Sequence, residues 1–232
     1  MEDRFLRYIP LFQGLPEEQV KRLAESGRYK NFKSGELIAG EEEKVKALFL
    51  VVWGKVKIFR GSEKEQTIYL FGPGELFCLT SLADEPFPAS AMALDDTRVL
   101  VLPSDMLEDM AKREPSLLFN MLITLIRRLK ESMHLIELLS LKEIPQRLAS
   151  FLLHSLALQG GGDVLALTIS QRELAKILGT TPETLSRVLK KMGSDGMIAV
   201  KGRSIRMRDR AALERLSEGT GYPHGSQQNI LT

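Results

Sequence analysis

Glu183, Ser186, Arg187 and Lys190 lie three, one and three residues apart, a spacing that gathers them on one side of a helix. A guanidinium can donate a bidentate pair to guanine O6 and N7, a carboxylate can accept from cytosine N4, and a serine hydroxyl suits either kind of base. These residue types in this pattern point to the reading of base edges. A hydrolytic or redox centre would instead need clustered acids, histidines or metal-ligand pairs. No histidine occurs before His134, so neither His-x-His nor Glu-x-x-His spacing exists in the N-terminal half. The sequence reads as a binding protein, not an enzyme. The competing reading of this stretch alone is a helix hairpin with a solvated charged face.

The stretch Ser170 to Met192 supplies the elements that hold this face. Ser170 is placed to N-cap a first helix, with Glu173 closing a capping box and Leu174, Ile177 and Leu178 on one face. Gly179 ends it, and Thr181 followed by Pro182 starts a second helix as cap and first-turn proline. Leu185, Val188, Leu189 and Met192 then pack inward, leaving the polar set outward. Two such helices form a helix-turn-helix, whose second helix enters the DNA major groove. Beyond them, MIAV and SIRM flank Lys201-Gly202-Arg203, predicting a hairpin with a basic tip, or wing. Lys176, Arg187, Lys190, Lys191, Lys201, Arg203, Arg206 and Arg208 cluster here, whereas the N-terminal region carries Glu41-Glu42-Glu43 and most of the acids. Such clustering suits contact with DNA phosphates, Lys201 and Arg203 included.

The rest of the 232-residue chain is long enough for two modest domains, and 44% hydrophobic residues can fill their cores. Net charge is only +2, and the one cysteine, Cys78, forms no internal disulfide and suits a reducing compartment. No apolar run reaches a membrane span, and the start MEDRFLR lacks a signal-peptide pattern, so a cytoplasmic protein without membrane contact is expected. Residues 11–26 predict a short helix with Val20 and Leu23 inward. β-rich runs at Leu37-Ile38, Leu48 to Phe59, Gln66 to Phe71, Glu75 to Leu79, Ala89 to Leu94 and Arg98 to Leu102 are punctuated by glycine and aspartate turns, predicting an antiparallel β roll. Trp53, inside an apolar run, is expected in its core. From Pro115 to about Leu141 a long helix carries Leu118, Leu122, Leu125, Leu129, Ser132, Ile136 and Leu139 at alternating spacings of four and three, a heptad seam broken by serine. A helix of about 25 residues spans roughly 38 Å and overhangs a domain of this size, so a homodimer is expected. Pro145 is expected to mark the domain boundary. The fold class is therefore α+β, with a β-roll sensing domain (1–112), a dimerisation helix and hinge (113–144), a winged helix-turn-helix (145–218) and a disordered tail (219–232).

This order of elements, with Glu183-Thr184-Leu185-Ser186-Arg187 and Gly196-Met197-Ile198-Ala199-Val200-Lys201-Gly202, resembles the CRP/FNR family of bacterial transcription regulators, and its DNA helix resembles the FNR branch. The resemblance implies a dimer on a palindrome with TTGA-containing half-sites, RNA polymerase as a partner, and an effector held between the roll and the long helix, beside Phe77, Cys78, Leu79, Ala89 and Ser90. Cyclic-nucleotide sensors of the family carry a glycine-glutamate pair and an arginine-serine pair there. This chain has Cys78-Leu79 and Ala89-Ser90, so cyclic AMP is not expected, since a buried phosphate needs a paired cation. One cysteine cannot hold the iron–sulfur cluster of FNR.

Ile136 to Lys142, followed by a helix with Arg147, resembles the DNR and HcpR-like regulators of nitrosative stress, some of which use haem. Haem and nitric oxide are therefore candidate effectors, with His134, His154, Cys78 or a methionine as axial ligand. The alternatives are a regulator of the same fold answering another small-molecule or redox signal without haem, and a protein–protein adaptor using the long helix. The adaptor would not need Arg187 or the basic wing.

Overall fold

The structure, a computed structural model, describes residues 3–62 and 65–219. A short helix α1 (Asp3–Leu6) and a 3-10 turn (Pro10–Phe12) lead into α2 (Glu17–Ser26), which buries Val20 and Leu23 as its spacing predicts. Eight strands follow: β1 (Arg28–Phe32), β2 (Leu37–Ala39), β3 (Ala47–Trp53), β4 (Val56–Arg60), β5 (Gln66–Phe71), β6 (Leu76–Phe77), β7 (Ser90–Ala93) and β8 (Thr97–Pro103). Their antiparallel pairing builds two four-stranded sheets, ordered β1-β8-β3-β6 and β2-β7-β4-β5.

Both faces of β3 and β8 are covered, which is why they read as unbroken apolar runs. Leu48, Leu50, Leu100 and Leu102 join Val20, Leu23, Leu107 and Leu117 in a core beneath the helices. Phe49, Val51 and Val99 turn the other way and meet Val56, Ile58, Phe71 and Phe77 between the sheets. Gly54 separates β3 from β4 at φ 88°, where an added Cβ would lie 2.5 Å from the Thr97 hydroxyl, so the turn admits only glycine. Trp53, expected in the core, is instead 46% exposed, because it ends β3 where the second sheet no longer covers it. The expected strand Glu75 to Leu79 is cut to Leu76–Phe77, since Cys78 adopts φ 67° and turns the chain into a 3-10 segment (Leu79–Ala83). β1 carries no apolar run, being an edge strand with Arg28, Lys30 and Asn31 in solvent.

After β8 come α3 (Ser104–Arg113) and α4 (Pro115–Leu141), the latter with the bounds its sequence predicts. The chain divides into two compact units, one ending at Ser132 and the other beginning at Met133. The division therefore falls inside α4. Pro145, expected at the boundary, sits in the first turn of the next helix, α5 (Ile144–Leu158), where its missing N–H costs nothing. In this second unit β9 (Val164–Ala166), α6 (Gln171–Ile177), α7 (Pro182–Ser194), β10 (Ile198–Lys201), β11 (Ser204–Met207) and α8 (Arg210–Ser217) follow. The three strands form one sheet, ordered β10-β11-β9, and α5 packs on α8 and α7. Of the tail expected to be disordered, residues 220–232 lie outside the described residues. Among the described residues no helix is long and apolar enough to cross a membrane.

Candidate nucleic-acid interface and effector pocket

The local signals in Ser170 to Met192 produce the helices they predict. The Ser170 hydroxyl accepts from the Glu173 N–H at 3.1 Å, and the Thr181 hydroxyl accepts from the Thr184 N–H at 3.3 Å. Glu173 itself is buried, with Lys176 3.9 Å away. On α7, Leu185, Leu189 and Met192 are buried, while Thr181, Glu183, Ser186, Arg187 and Lys190 are exposed. The Arg187 guanidinium rests 3.1 Å from the Thr184 hydroxyl, free on its outer side to meet a base. A hydrogen bond from the Glu183 N–H, then one from Thr181, holds the Glu183 carboxyl below the usual carboxylate range. It is ionised at neutral pH, the form that accepts from cytosine N4.

The wing forms as a two-residue turn, with Lys201 paired to Ser204 and Gly202 at φ 60°. Lys201 and Arg203 are exposed at its tip. Between α7 and the wing lies a groove of about 440 Å³ bordered by Gln171, Ser186, Lys190, Val200 and Arg208. Gln171 carries no signal in the sequence beyond its place after the cap. Arg147, noted for its likeness to a branch of one family, has a structural task here. Its three nitrogens donate to the carbonyls of Lys142 (2.8 Å), Leu178 (2.9 Å) and Leu139 (2.9 Å), satisfying the otherwise unpaired, partly buried ends of α4 and α6.

The residues of the expected seam differ in exposure. Leu118, Leu122, Leu125, Leu129 and Ile136 are exposed apolar residues, as are Phe119, Ile126 and Met133. Ser132 is not in that row. Its hydroxyl lies 2.9 Å from the Arg128 carbonyl and is hydrogen-bonded to the Tyr69 hydroxyl, on the side facing the roll. Met133 beside it is 62% exposed, and Leu139 is half-buried.

Phe77, Cys78, Leu79 and Ala89 line a pocket of about 330 Å³ in the roll, together with Tyr69, Phe71 and Arg128. Ser90 does not line it; its hydroxyl accepts from the Glu41 N–H at 3.2 Å. Burial, with a smaller contribution from Glu43, pushes the Cys78 thiol up to about 12. His134 and His154 are not among the lining residues. They meet one another in the second unit, ring centroids 5.4 Å apart, and burial, then the neighbouring His154, draws the His134 pKa down. Sequence reasoning passed over Arg128 and Tyr69. The available signal was a cation placed seven residues beyond Met121, whose side chain is buried, and four before Ser132.

An antiparallel roll, a long helix and a winged helix with an outward base-reading face define a DNA-binding transcription regulator. Comparisons with known proteins agree. Residues 146–216 match the Crp-like helix-turn-helix domain, and residues 29–114 match the cyclic nucleotide-binding domain. The chain is 36% identical to the cyclic AMP receptor protein of Thermus thermophilus, over 90% of this chain and 97% of that one. It is 28% identical to the fumarate and nitrate reduction regulatory protein of Escherichia coli, over 83% of this chain and 80% of that one. Among solved structures, FixK2 from Bradyrhizobium japonicum superposes with a TM-score of 0.72 at 26% identity, covering 82% of this chain and 96% of that one. The chain belongs to the CRP/FNR family of transcription regulators.

Proposed function

We propose that the protein acts as a homodimer on a palindromic operator, with α7 of each copy in the major groove of a TTGA-containing half-site and a small molecule in the roll pocket as its control. The observation that carries this is the division of α7 itself: Leu185, Leu189 and Met192 inward, Glu183, Ser186, Arg187 and Lys190 outward beside a basic wing. Arg187 addresses the guanine and Glu183 the cytosine paired with it. The exposed apolar row on α4 supports self-association, since a surface of that length in water favours a partner. Bound beside a promoter, the dimer meets RNA polymerase.

By the family resemblance, Leu79 and Ala89 match the positions at which cyclic-nucleotide sensors carry their glutamate and arginine, which speaks against cyclic AMP as the ligand here. Haem fits the pocket poorly. Of the candidate axial ligands, only Cys78 lines it; His134, His154 and the methionines do not. A small-molecule signal without haem is the better reading.

The experiment is fluorescence anisotropy on a duplex carrying two TTGA half-sites about one helical turn apart, roughly 34 Å, titrated with salt. Tight binding that weakens steeply with salt and depends on Arg187 supports the proposal. A protein that self-associates but binds no DNA would instead be a helix-mediated adaptor.

A further inference from the structure

The roll pocket is lined by two guanidinium groups, no carboxylate and otherwise mostly apolar side chains. The two cations are not equivalent. Arg60 is exposed, and its Nε and Nη2 donate to Glu41 at 2.9 and 2.6 Å. Arg128 has a side chain only 15% exposed, with its guanidinium 4.0 Å from the Phe71 ring centroid. Its polar contacts are a 3.4 Å hydrogen bond to the Leu76 carbonyl and a carboxylate oxygen of half-exposed Glu75 at 3.6 Å. Five N–H donors in a rigid fork thus have little to bond, at a place where an underpaired cation is costly. Burial draws the Arg128 pKa below its ordinary value, opposed mainly by Glu75, and the group stays charged at neutral pH.

Around this cation the surfaces are aromatic. Phe71 and Phe77 have ring centroids 5.5 Å apart, and Tyr69 and Phe71 5.9 Å. Tyr69 adds a ring face and no free donor, because its hydroxyl is bonded to the Arg128 carbonyl at 2.7 Å. About 330 Å³ is near the lower end for a small-molecule pocket. A ligand with many polar groups, such as a nucleotide, would leave most of them unbonded here.

We infer that the pocket binds an aromatic monocarboxylate, with the carboxylate paired to Arg128 in bidentate fashion and the ring against Phe71 and Phe77. The carboxylate satisfies the fork that Glu75 reaches only at long range, and the aromatic body matches the walls. The inference rests on the pocket being the control site proposed above. It also links occupancy to the dimer row, because Arg128 belongs to the same helix as Leu125 and Leu129. A ligand that engages Arg128 differently in two settings of α4 shifts the balance between them.

The test is calorimetry on the full chain without DNA, using 2-naphthylacetate and its uncharged isostere 2-naphthylacetamide. The acid is expected to bind at least about tenfold more tightly than the amide, as a charge-assisted pair requires. Arg128→Met, which keeps an apolar stem over Phe71, is expected to abolish that preference and leave the amide unchanged. Arg60→Gln is expected to preserve it. Equal affinities for acid and amide, or no heat from either, would overturn the inference. That comparison uses the unaltered chain, so it decides the matter even if Arg128→Met fails to fold. The anisotropy assay is read separately: acid binding without any DNA binding overturns the regulator reading, and DNA binding without acid preference overturns the ligand assignment.

Discussion

The Tyr69 hydroxyl on β5 donates to the main-chain carbonyl of Arg128 on α4 at 2.7 Å, and the Ser132 hydroxyl meets both. One turn of the long helix is thereby bonded to a strand that lines the pocket. The bond also fixes which face of this part of α4 looks at the roll.

Tyr69→Phe keeps the ring and removes the bond, and is expected to lower the stability of the N-terminal unit by about 1 kcal/mol. Ser132→Leu should destabilise as well, because it breaks the same cluster. Urea unfolding followed by circular dichroism measures both; a stabilised Ser132→Leu would return Ser132 to the seam.

The proposed row of self-association includes Met133, which is 62% exposed. Sedimentation equilibrium is expected to find the dimer weakened at least tenfold by Leu125→Glu and by Met133→Glu, since each buries a charge in an apolar contact. Ser132→Ala should leave the dimer constant nearly unchanged. A Met133→Glu protein that associates like the unaltered chain would refute the placement.

Arg187→Ala should lose about 1–3 kcal/mol at the TTGA site and relax the preference at the guanine. The wing behaves differently. Lys201→Ala and Arg203→Ala are expected to weaken binding to all sequences alike and to reduce the salt slope by about one each. Anisotropy on cognate and guanine-substituted duplexes separates the two patterns, and full discrimination retained by Arg187→Ala would reject the base assignment.

Arg147 closes the ends of two helices with one side chain. Arg147→Met is expected to destabilise the C-terminal unit by about 2–3 kcal/mol, because charged donors bond carbonyls strongly and the bared carbonyls stay partly buried. Arg147→Lys should recover only part, having a point charge in place of a fork. A urea midpoint unmoved by Arg147→Met would contradict this role.

His134 introduces a pH dependence of known sign. Its pKa is drawn below the unfolded value by burial and then by His154, so the unfolded chain binds a proton more readily. The associated stability is fully present above the ordinary value of 6.5 and is lost as pH falls through the lowered one. Thermal unfolding should show a drop in Tm between neutral and mildly acidic pH that His134→Gln reduces. An identical pH profile in that variant would exclude His134 as its source.

The winged helix was legible because its signals are local. A cap, a first-turn proline, a glycine stop and helical spacing decide within some twenty residues which way Arg187 and Leu189 face, and no distant contact can reverse that without burying charge. The extent of α4 was legible for the same reason, its ends marked by Pro115 and the break before Pro145. Trp53 shows where such reasoning stops: an apolar strand residue is in or out according to whether another sheet covers it. Ser132 shows it again, because its partner Tyr69 lies 63 residues away in the chain and nothing in the helical spacing points to it. The pocket depended most on tertiary structure. Tyr69 and Phe71 come from one strand, Cys78 from a left-handed turn and Arg128 from a helix some fifty residues on, and only the folded roll brings a charged fork against aromatic walls and makes its unmet hydrogen bonds count.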